Sequence, residues 1–464
     1  MVLFKRLADP RPPLPLHLPA HGRGRGLAPA LRRLLRRDPG CWDLPELPEI
    51  GGPLESEGAV AAAQEAAADL LGARRCWFGV NGASGLLQVG LLALAKPGQR
   101  VLLPRNVHRS LLHGCVLAQL RPVLFDLPFD PLSGLWEPPS AAALEHHLDA
   151  ALAEGPLAAV VLVSPSYHGR VLELERLIAA VHRRDLPVLL DEAHGAHLGL
   201  DDRLPAGGLA CGADLVVQSL QKAAGGLAQS AVLLQGSKRL HASVIERALL
   251  WLQTSSPNAL LLASSAAALS HLHSPAGRRQ LRRAIDRSLA TRQRLSQFGL
   301  PLLPSDDPLR LSLHTAAMGI NGLDADSWLM NHGVIAELPE PGVLTFCPGL
   351  TPPRRMEHRL PRSLLLMQQQ IGRAEPLPLF TAPPLPALTE PEMPLVQAWR
   401  APAERVALVA AAGRIAAEPL CPYPPGIPLL IPGERLDRPR VDWLVQQHKL
   451  WPGQIADTVT VVAE

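Results

Sequence analysis

A chain of 464 residues, 47% of them hydrophobic, is long enough to bury a substantial core divided among two or three domains. Its formal net charge of +3 is small for that length, so neither nucleic acid nor an anionic membrane is expected as a partner. The six cysteines are scattered without a Cys-x-x-Cys pair; no metal cluster or disulfide framework follows, as suits a reducing cytoplasm. Lys5, Arg6 and several prolines stand where an export signal needs an apolar run. The pairs Arg32-Arg33 and Arg36-Arg37, like Arg278-Arg279 and Arg282-Arg283, have the spacing of solvated helix faces. A helical stretch over Ala59–Leu71 precedes Val80-Asn81-Gly82 and a second helix over Leu86–Leu94, which is too short to span a bilayer. Strand-like runs follow at Val101–Leu103, Pro122–Leu124, Val160–Val163, Val188–Leu190 and Leu215–Val217, with helical stretches at Ala141–Ala153 and Leu174–His182 between them. This alternation predicts an α/β fold with a mainly parallel sheet covered by helices. Ala231–Leu234 is a further candidate strand, and Arg279–Gln297 reads as a long helix leaving this domain.

From about residue 310 the pattern changes to a smaller α+β unit, with strands expected at Leu309–Leu313 and Gly342–Phe346. The proline-dense stretch Glu375–Pro394 reads as a linker, Leu395–Ala417 as helical, and the turn Pro422-Tyr423-Pro424-Pro425-Gly426 as packing a final segment. The expected division is an N-terminal arm (1–48), a major domain (49–308), a small domain (309–374), a linker (375–394) and a C-terminal domain (395–464).

The chemistry concentrates where two strands end. Leu186–Leu190 delivers Asp191, and Leu215–Val217 leads into Gln218-Ser219-Leu220-Gln221-Lys222. Ligands of parallel sheets collect beyond the carboxyl ends of the strands, so Asp191 and Lys222 can share a pocket. The pair suits pyridoxal phosphate: the lysine amine forms a Schiff base with the aldehyde, and the carboxylate keeps a proton on the pyridine nitrogen. Taken singly, Asp191 equally reads as a turn cap and Lys222 as a surface lysine. In Asn81-Gly82-Ala83-Ser84-Gly85, small residues opening a helix offer backbone amides to a phosphate, with Ser84 and Ser219 as hydroxyl donors; a plain helix cap is the alternative. His194 is placed to touch a cofactor oxygen or the Asp191 carboxylate, and His197 reads as packing.

The run Asp191-Glu192-Ala193-His194-Gly195-Ala196-His197-Leu198-Gly199 followed by Gln218–Lys222 resembles the signature of the ornithine/lysine/arginine decarboxylase family. The likeness continues in order through His17–Gly24, Val80–Gly85, Arg105–Ser110, Ser164–Gly169, Thr254–Pro257, Pro422–Pro428 and Pro432-Gly433-Glu434. It implies a fold-type I enzyme, aspartate-aminotransferase-like, whose major domain binds pyridoxal 5'-phosphate. It further implies Lys222 as Schiff-base lysine, His108 stacked on the pyridine ring, and Ser84, Gly85, Asp191, His194 and Ser219 as further cofactor contacts. The implied activity is decarboxylation of arginine, lysine or ornithine, in a homodimer or larger homo-oligomer.

The sequence departs from the family at telling places. Gln221 replaces the histidine that precedes the lysine, and an amide cannot carry that histidine's proton. Ala20 and Gly22 alter the N-terminal motif, while Ala83 and Gly85 remove hydroxyl donors near the phosphate. Glu337, Glu340 and Glu434 are candidates for recognising a cationic substrate side chain. Two alternatives stay open: another fold-type I activity, such as an aminotransferase or carbon–carbon lyase, and a regulatory paralogue with weakened catalysis.

Overall fold

The computed structural model describes residues 2–8, 14–421, 427–451 and 455–464. The expected turn at Pro422–Gly426 lies outside them. Seven strands of the large sheet lie between residues 75 and 235: β1 (Arg75–Gly79), β2 (Arg100–Pro104), β3 (Arg121–Phe125), β4 (Leu157–Val163), β5 (Val188–Asp191), β6 (Leu215–Ser219) and β7 (Ala231–Gln235). After them come β8 (Leu311–Leu313), β9 (Leu338–Glu340), β10 (Val343–Phe346), β11 (Leu388–Thr389), β12 (Ala403–Ala407) and β13 (Thr458–Val462). The large sheet has eight strands in the order β11-β3-β2-β4-β5-β6-β7-β1. Neighbours from β3 through β6 run parallel, β7 is antiparallel to both its neighbours, and β11 adds an antiparallel edge.

Both faces of the sheet are dry, which is why its strands are continuously apolar. Alternate residues serve opposite layers. Val160, Leu162, Val188, Leu190 and Val216 pack with Leu148, Leu177 and Leu272 from helices Ala141–Ala153, Leu174–His182 and Ala259–His273. Val161, Leu189, Leu215 and Val217 pack with Leu87, Leu111 and Leu249 from helices Gly82–Leu94, Arg109–Leu117 and Ala242–Leu252. Each such buried aliphatic side chain contributes about 1.5–3 kcal/mol of transfer free energy. Gly90 lets its helix settle on the sheet: a Cβ there would lie 2.8 Å from Leu189 Cδ1.

The long helix is Pro275–Gln297, with Ser274 accepting from Gly277 N at its start and Pro275 in its first turn. Beyond it, β8-β10-β9 form an antiparallel sheet over helices Gly322–Asn331 and Met356–Ile371, with a core of its own around Leu313, Leu329, Phe346 and Leu360. The N-terminal arm joins this unit, since Leu14–Pro15 pairs in parallel with Val334–Ile335 and Cys347 N donates to Leu16 O. The arm then reaches the large domain, where Ala20 N donates to Gln221 O at 2.9 Å.

Two sequence expectations are corrected. Residues 375–394 do not span open solvent as a linker does; they run along the protein, with Phe380 N bonded to Pro131 O and β11 pairing with β3. The stretch Leu395–Ala417 is α-helical only over Leu395–Arg400, because Pro402 has no amide to continue the ladder, and a 3-10 turn follows at Leu408–Ala410. Ala403–Ala407 then pairs as β12 with β13, a partner that local propensity does not reveal. The C-terminal unit carries a separate core that includes Leu408, Leu430, Leu444 and Val461. Among the described residues, no helix is long and apolar enough to cross a membrane.

Candidate active site

A cavity of about 320 Å³ opens at the carboxyl ends of β4, β5 and β6 and beside the loop after β2. Asp191 ends β5, in register with Val163 and Val217 on its neighbours, so the sheet itself fixes the height of its carboxylate. One Asp191 oxygen accepts from Ala193 N at 3.1 Å, and the carboxylate has no other hydrogen bond among the described residues. Lys222 follows β6 within the single helical turn Leu220–Ala223 and lines the same cavity, as do Ser219 and Gln221. Ser84 lies in the first turn of helix Gly82–Leu94 and also lines it. Gly85, expected to contact a cofactor, is not part of the cavity wall: its amide donates to Asn81 O, and it packs against the Asn81 side chain.

His108 N-caps helix Arg109–Leu117, its Nδ1 accepting from Ser110 N at 3.3 Å and lying 2.8 Å from Ser110 Oγ. Acceptance at Nδ1 leaves the ring proton on Nε2. His108 keeps a face open to the cavity, yet the protein crowded around it, with Lys222 and Arg109 adding their charge, lowers its pKa to about 4.

His194 stands between two side-chain nitrogens. Its Nε2 is 2.9 Å from Lys222 Nζ, and its Nδ1 is 3.0 Å from Arg310 Nη2. It therefore has no hydrogen bond to Asp191, one of the two contacts expected of it. The Tyr167 ring lies against it, 4.5 Å between centroids. Tyr167 OH donates to Glu337, whose other oxygen accepts from Leu18 N at 2.6 Å. His168 Nε2 is 2.6 Å from Glu340 Oε2, and both residues line the cavity. His197 does more than pack: buried, it pairs through Nε2 with Asp307 Oδ1 at 3.1 Å. Glu434 is removed from the cavity; it forms a buried pair with Arg105 at 3.0 Å and accepts from Ile431 N.

Burial pushes the Asp191 carboxyl above the usual range, and Lys222 opposes this. Burial likewise lowers the Lys222 amine, with Asp191 opposing and Arg310 adding to the fall. Burial, then the charges of Lys222 and Arg310, hold His194 well below the ordinary histidine value. The result is an amine, a carboxyl group and two imidazoles around one space, each with its charged form disfavoured by burial, an arrangement suited to capturing an aldehyde.

Comparison with known proteins decides the family. The sequence profile of the Orn/Lys/Arg decarboxylase major domain matches residues 40–305, and that of the C-terminal domain residues 379–457. The chain belongs to the Orn/Lys/Arg decarboxylase family. An arginine decarboxylase of Halalkalibacterium halodurans is 30% identical over 453 residues, covering 94% of this chain and 91% of that one. An arginine decarboxylase of Bacillus subtilis is 30% identical over 449 residues, covering 94% and 90%. The constitutive lysine decarboxylase of Escherichia coli shares the fold, with a TM-score of 0.74 at 20% identity over 91% of this chain and 75% of that structure. The chain is thus an enzyme of the carboxy-lyase class with a fold-type I architecture.

Within this family site, Arg310 is the residue that sequence reading missed. It lies 116 positions from His194, and the one local sign was a cation inside the apolar run Leu309-Arg310-Leu311. The hold of Leu18 N on Glu337, across 319 positions, left no local sign at all.

Proposed function

We propose that this protein decarboxylates a basic amino acid, arginine, lysine or ornithine, using pyridoxal 5'-phosphate, and releases carbon dioxide and the corresponding amine. The observation that carries the reading is the placement of Asp191 and Lys222 on one cavity, with an Asp191 oxygen free of protein partners among the described residues. The groups present fit the cofactor. Lys222 would hold it through its amine, Asp191 would keep a proton on its ring nitrogen, and Ser84 and Ser219 would supply hydroxyl donors to its phosphate. When bound, the cofactor takes up the electron pair left as carbon dioxide departs. His108 would limit the tilt of the ring, and His194 would hold the lysine side of the site. Gln221 would bind oxygen by hydrogen bonding without exchanging a proton.

Of the three candidate acids, Glu340 is the one in the cavity wall, so we assign it the cationic end of the substrate. Arginine is the first substrate to test, because the relatives above are arginine decarboxylases. We also propose a homodimer working in the cytoplasm. Adjacent Leu250 and Trp251 are 69% and 79% exposed in the isolated chain, an apolar pair suited to a subunit contact. Light scattering that finds a fully active monomer would refute the dimer.

The central test is borohydride reduction with the cofactor, followed by peptide mapping. The pyridoxyl label is expected on Lys222, and Lys222→Ala is expected to abolish turnover; a label on Lys96 or Lys238 overturns the assignment. Parallel measurement of carbon dioxide and amine across arginine, lysine and ornithine identifies the substrate, and ketoacid formation in their place would mark an aminotransferase.

A further inference from the structure

The position of Arg310 carries an inference about His194 and Lys222. Arg310 is 1% exposed, and among the described residues its one side-chain partner within hydrogen-bond distance is His194. The nearest carboxylate oxygen, Asp307 Oδ2, is 3.7 Å from Nη1, beyond hydrogen-bond distance, while Asp307 Oδ1 takes the bonds to His197 and Leu309 N. A guanidinium has donors only and stays charged. At 3.0 Å it therefore requires a lone pair on His194 Nδ1, and a neutral imidazole with a lone pair there carries its proton on Nε2. That proton faces Lys222 Nζ at 2.9 Å. An ammonium has no lone pair to accept it, whereas a neutral amine does.

We propose that Arg310 is a positioning residue: it fixes His194 as the Nε2–H tautomer, and His194 in turn donates to an unprotonated Lys222 amine. Lys222 is then held by its own lone pair at a set place in the cavity, and an unprotonated amine is the form that attacks an aldehyde or takes up a proton. The groups facing it pull in both directions, with burial the largest influence. Asp191 and Glu337 favour its protonated form, Arg310 and burial disfavour it, and Tyr167 presents its ring at 5.7 Å. The use made of this amine rests on the function proposed above; the tautomer does not.

Two measurements on the full-length protein before cofactor is added test the idea. Nitrogen-15 spectra of the histidines, with His194 identified by the resonance lost in His194→Gln, report which ring nitrogen carries the proton. The pH dependence of Lys222 modification by an amine-selective reagent, followed by peptide mapping, reports the amine. The wild type is expected to show Nδ1 bare and Nε2 protonated. Arg310→Met is expected to let the tautomers mix and to raise the midpoint of Lys222 modification by roughly one pH unit, because a nearby cation is lost. Arg310→Lys keeps a cationic donor and is expected to restore both readouts. A wild-type spectrum with His194 protonated at Nδ1 overturns the proposal, as does an Arg310→Met protein unchanged in both readouts. If Arg310→Met does not fold, the wild-type spectrum decides alone. A pyridoxyl label away from Lys222 would defeat the cofactor reading and leave the tautomer result standing.

Discussion

At the strand ends, Asp191, Ser84 and Ser219 line the cavity with hydrogen-bonding capacity unspent, whereas the carboxylates of Glu192, Glu337, Glu340 and Glu434 around them are each held by protein partners. Asp191 and Glu192 show the contrast between neighbours. The alternation of an extended chain turns Asp191 to the cavity and Glu192 into the interior, where Gly208 N and Gln218 Nε2 each donate to it at 2.7 Å. A buried polar group left without a partner costs stability, so the fold tolerates one where a ligand is to complete it. The open groups, and Glu340 in the cavity wall, are therefore where chemistry should respond to mutation, and the paired groups away from the cavity are where stability should respond.

Asp191→Asn is the strongest test of that division. Activity is expected to fall on the order of 100-fold or more, because an amide no longer favours a protonated ring, while the urea midpoint changes little. An unfolded or a fully active variant would each break the comparison. Glu434→Ala tests the opposite class. Arg105 and Glu434 are both 1% exposed, and removing one partner strands a buried charge, so a loss of about 3–5 kcal/mol is expected in urea unfolding.

Glu192 sharpens the comparison through pH. Burial, against the hydrogen bonds from Gln218 and Gly208, raises its carboxyl from the ordinary 4.5 to about 7. The folded state thus holds this proton more tightly than the unfolded state. Its contribution is complete below the unfolded value and is lost as pH rises towards the folded one, on the order of 3 kcal/mol in all. Glu192→Gln should flatten that decline, as read by urea midpoints between about pH 5 and about pH 8. An equal decline in the variant would assign it to other groups. The smallest effect is expected from Gln221→His, which should raise decarboxylation modestly and add an ionisation between about pH 5 and pH 8 to the rate profile. An unchanged profile would show that residue 221 is not what sets this chain apart from its family.

The same contrast explains what the sequence made legible. Asp191, Ser219 and Lys222 follow apolar runs directly, so periodicity and the strand-end rule locate them together. The paired rim is assembled from the arm, the small domain and the C-terminal unit, and its contacts cross hundreds of positions. Leu18 with Glu337 and Arg105 with Glu434 have no local pattern that joins them. Ala403–Ala407 was misread for the same reason: its alanines favour a helix, and its strand partner lies beyond residue 457. Gly85 was read correctly as a helix opener, but one residue's rotation about the helix turns it from the cavity.

The pairing of Leu14–Pro15 with Val334–Ile335 and of Leu18 with Glu337 also has a consequence in time. The arm leaves the ribosome ahead of its docking surface, and the partner of Leu18 follows it by 319 positions. At about 5–20 residues per second, translation leaves the arm without its docking surface for on the order of tens of seconds. During that interval the segment bearing Lys222 already exists while the clasp from Ala20 onto Gln221 has nothing to anchor it. The arm is thus made long before it can find its place, and the cavity is finished only after Glu337 has been made.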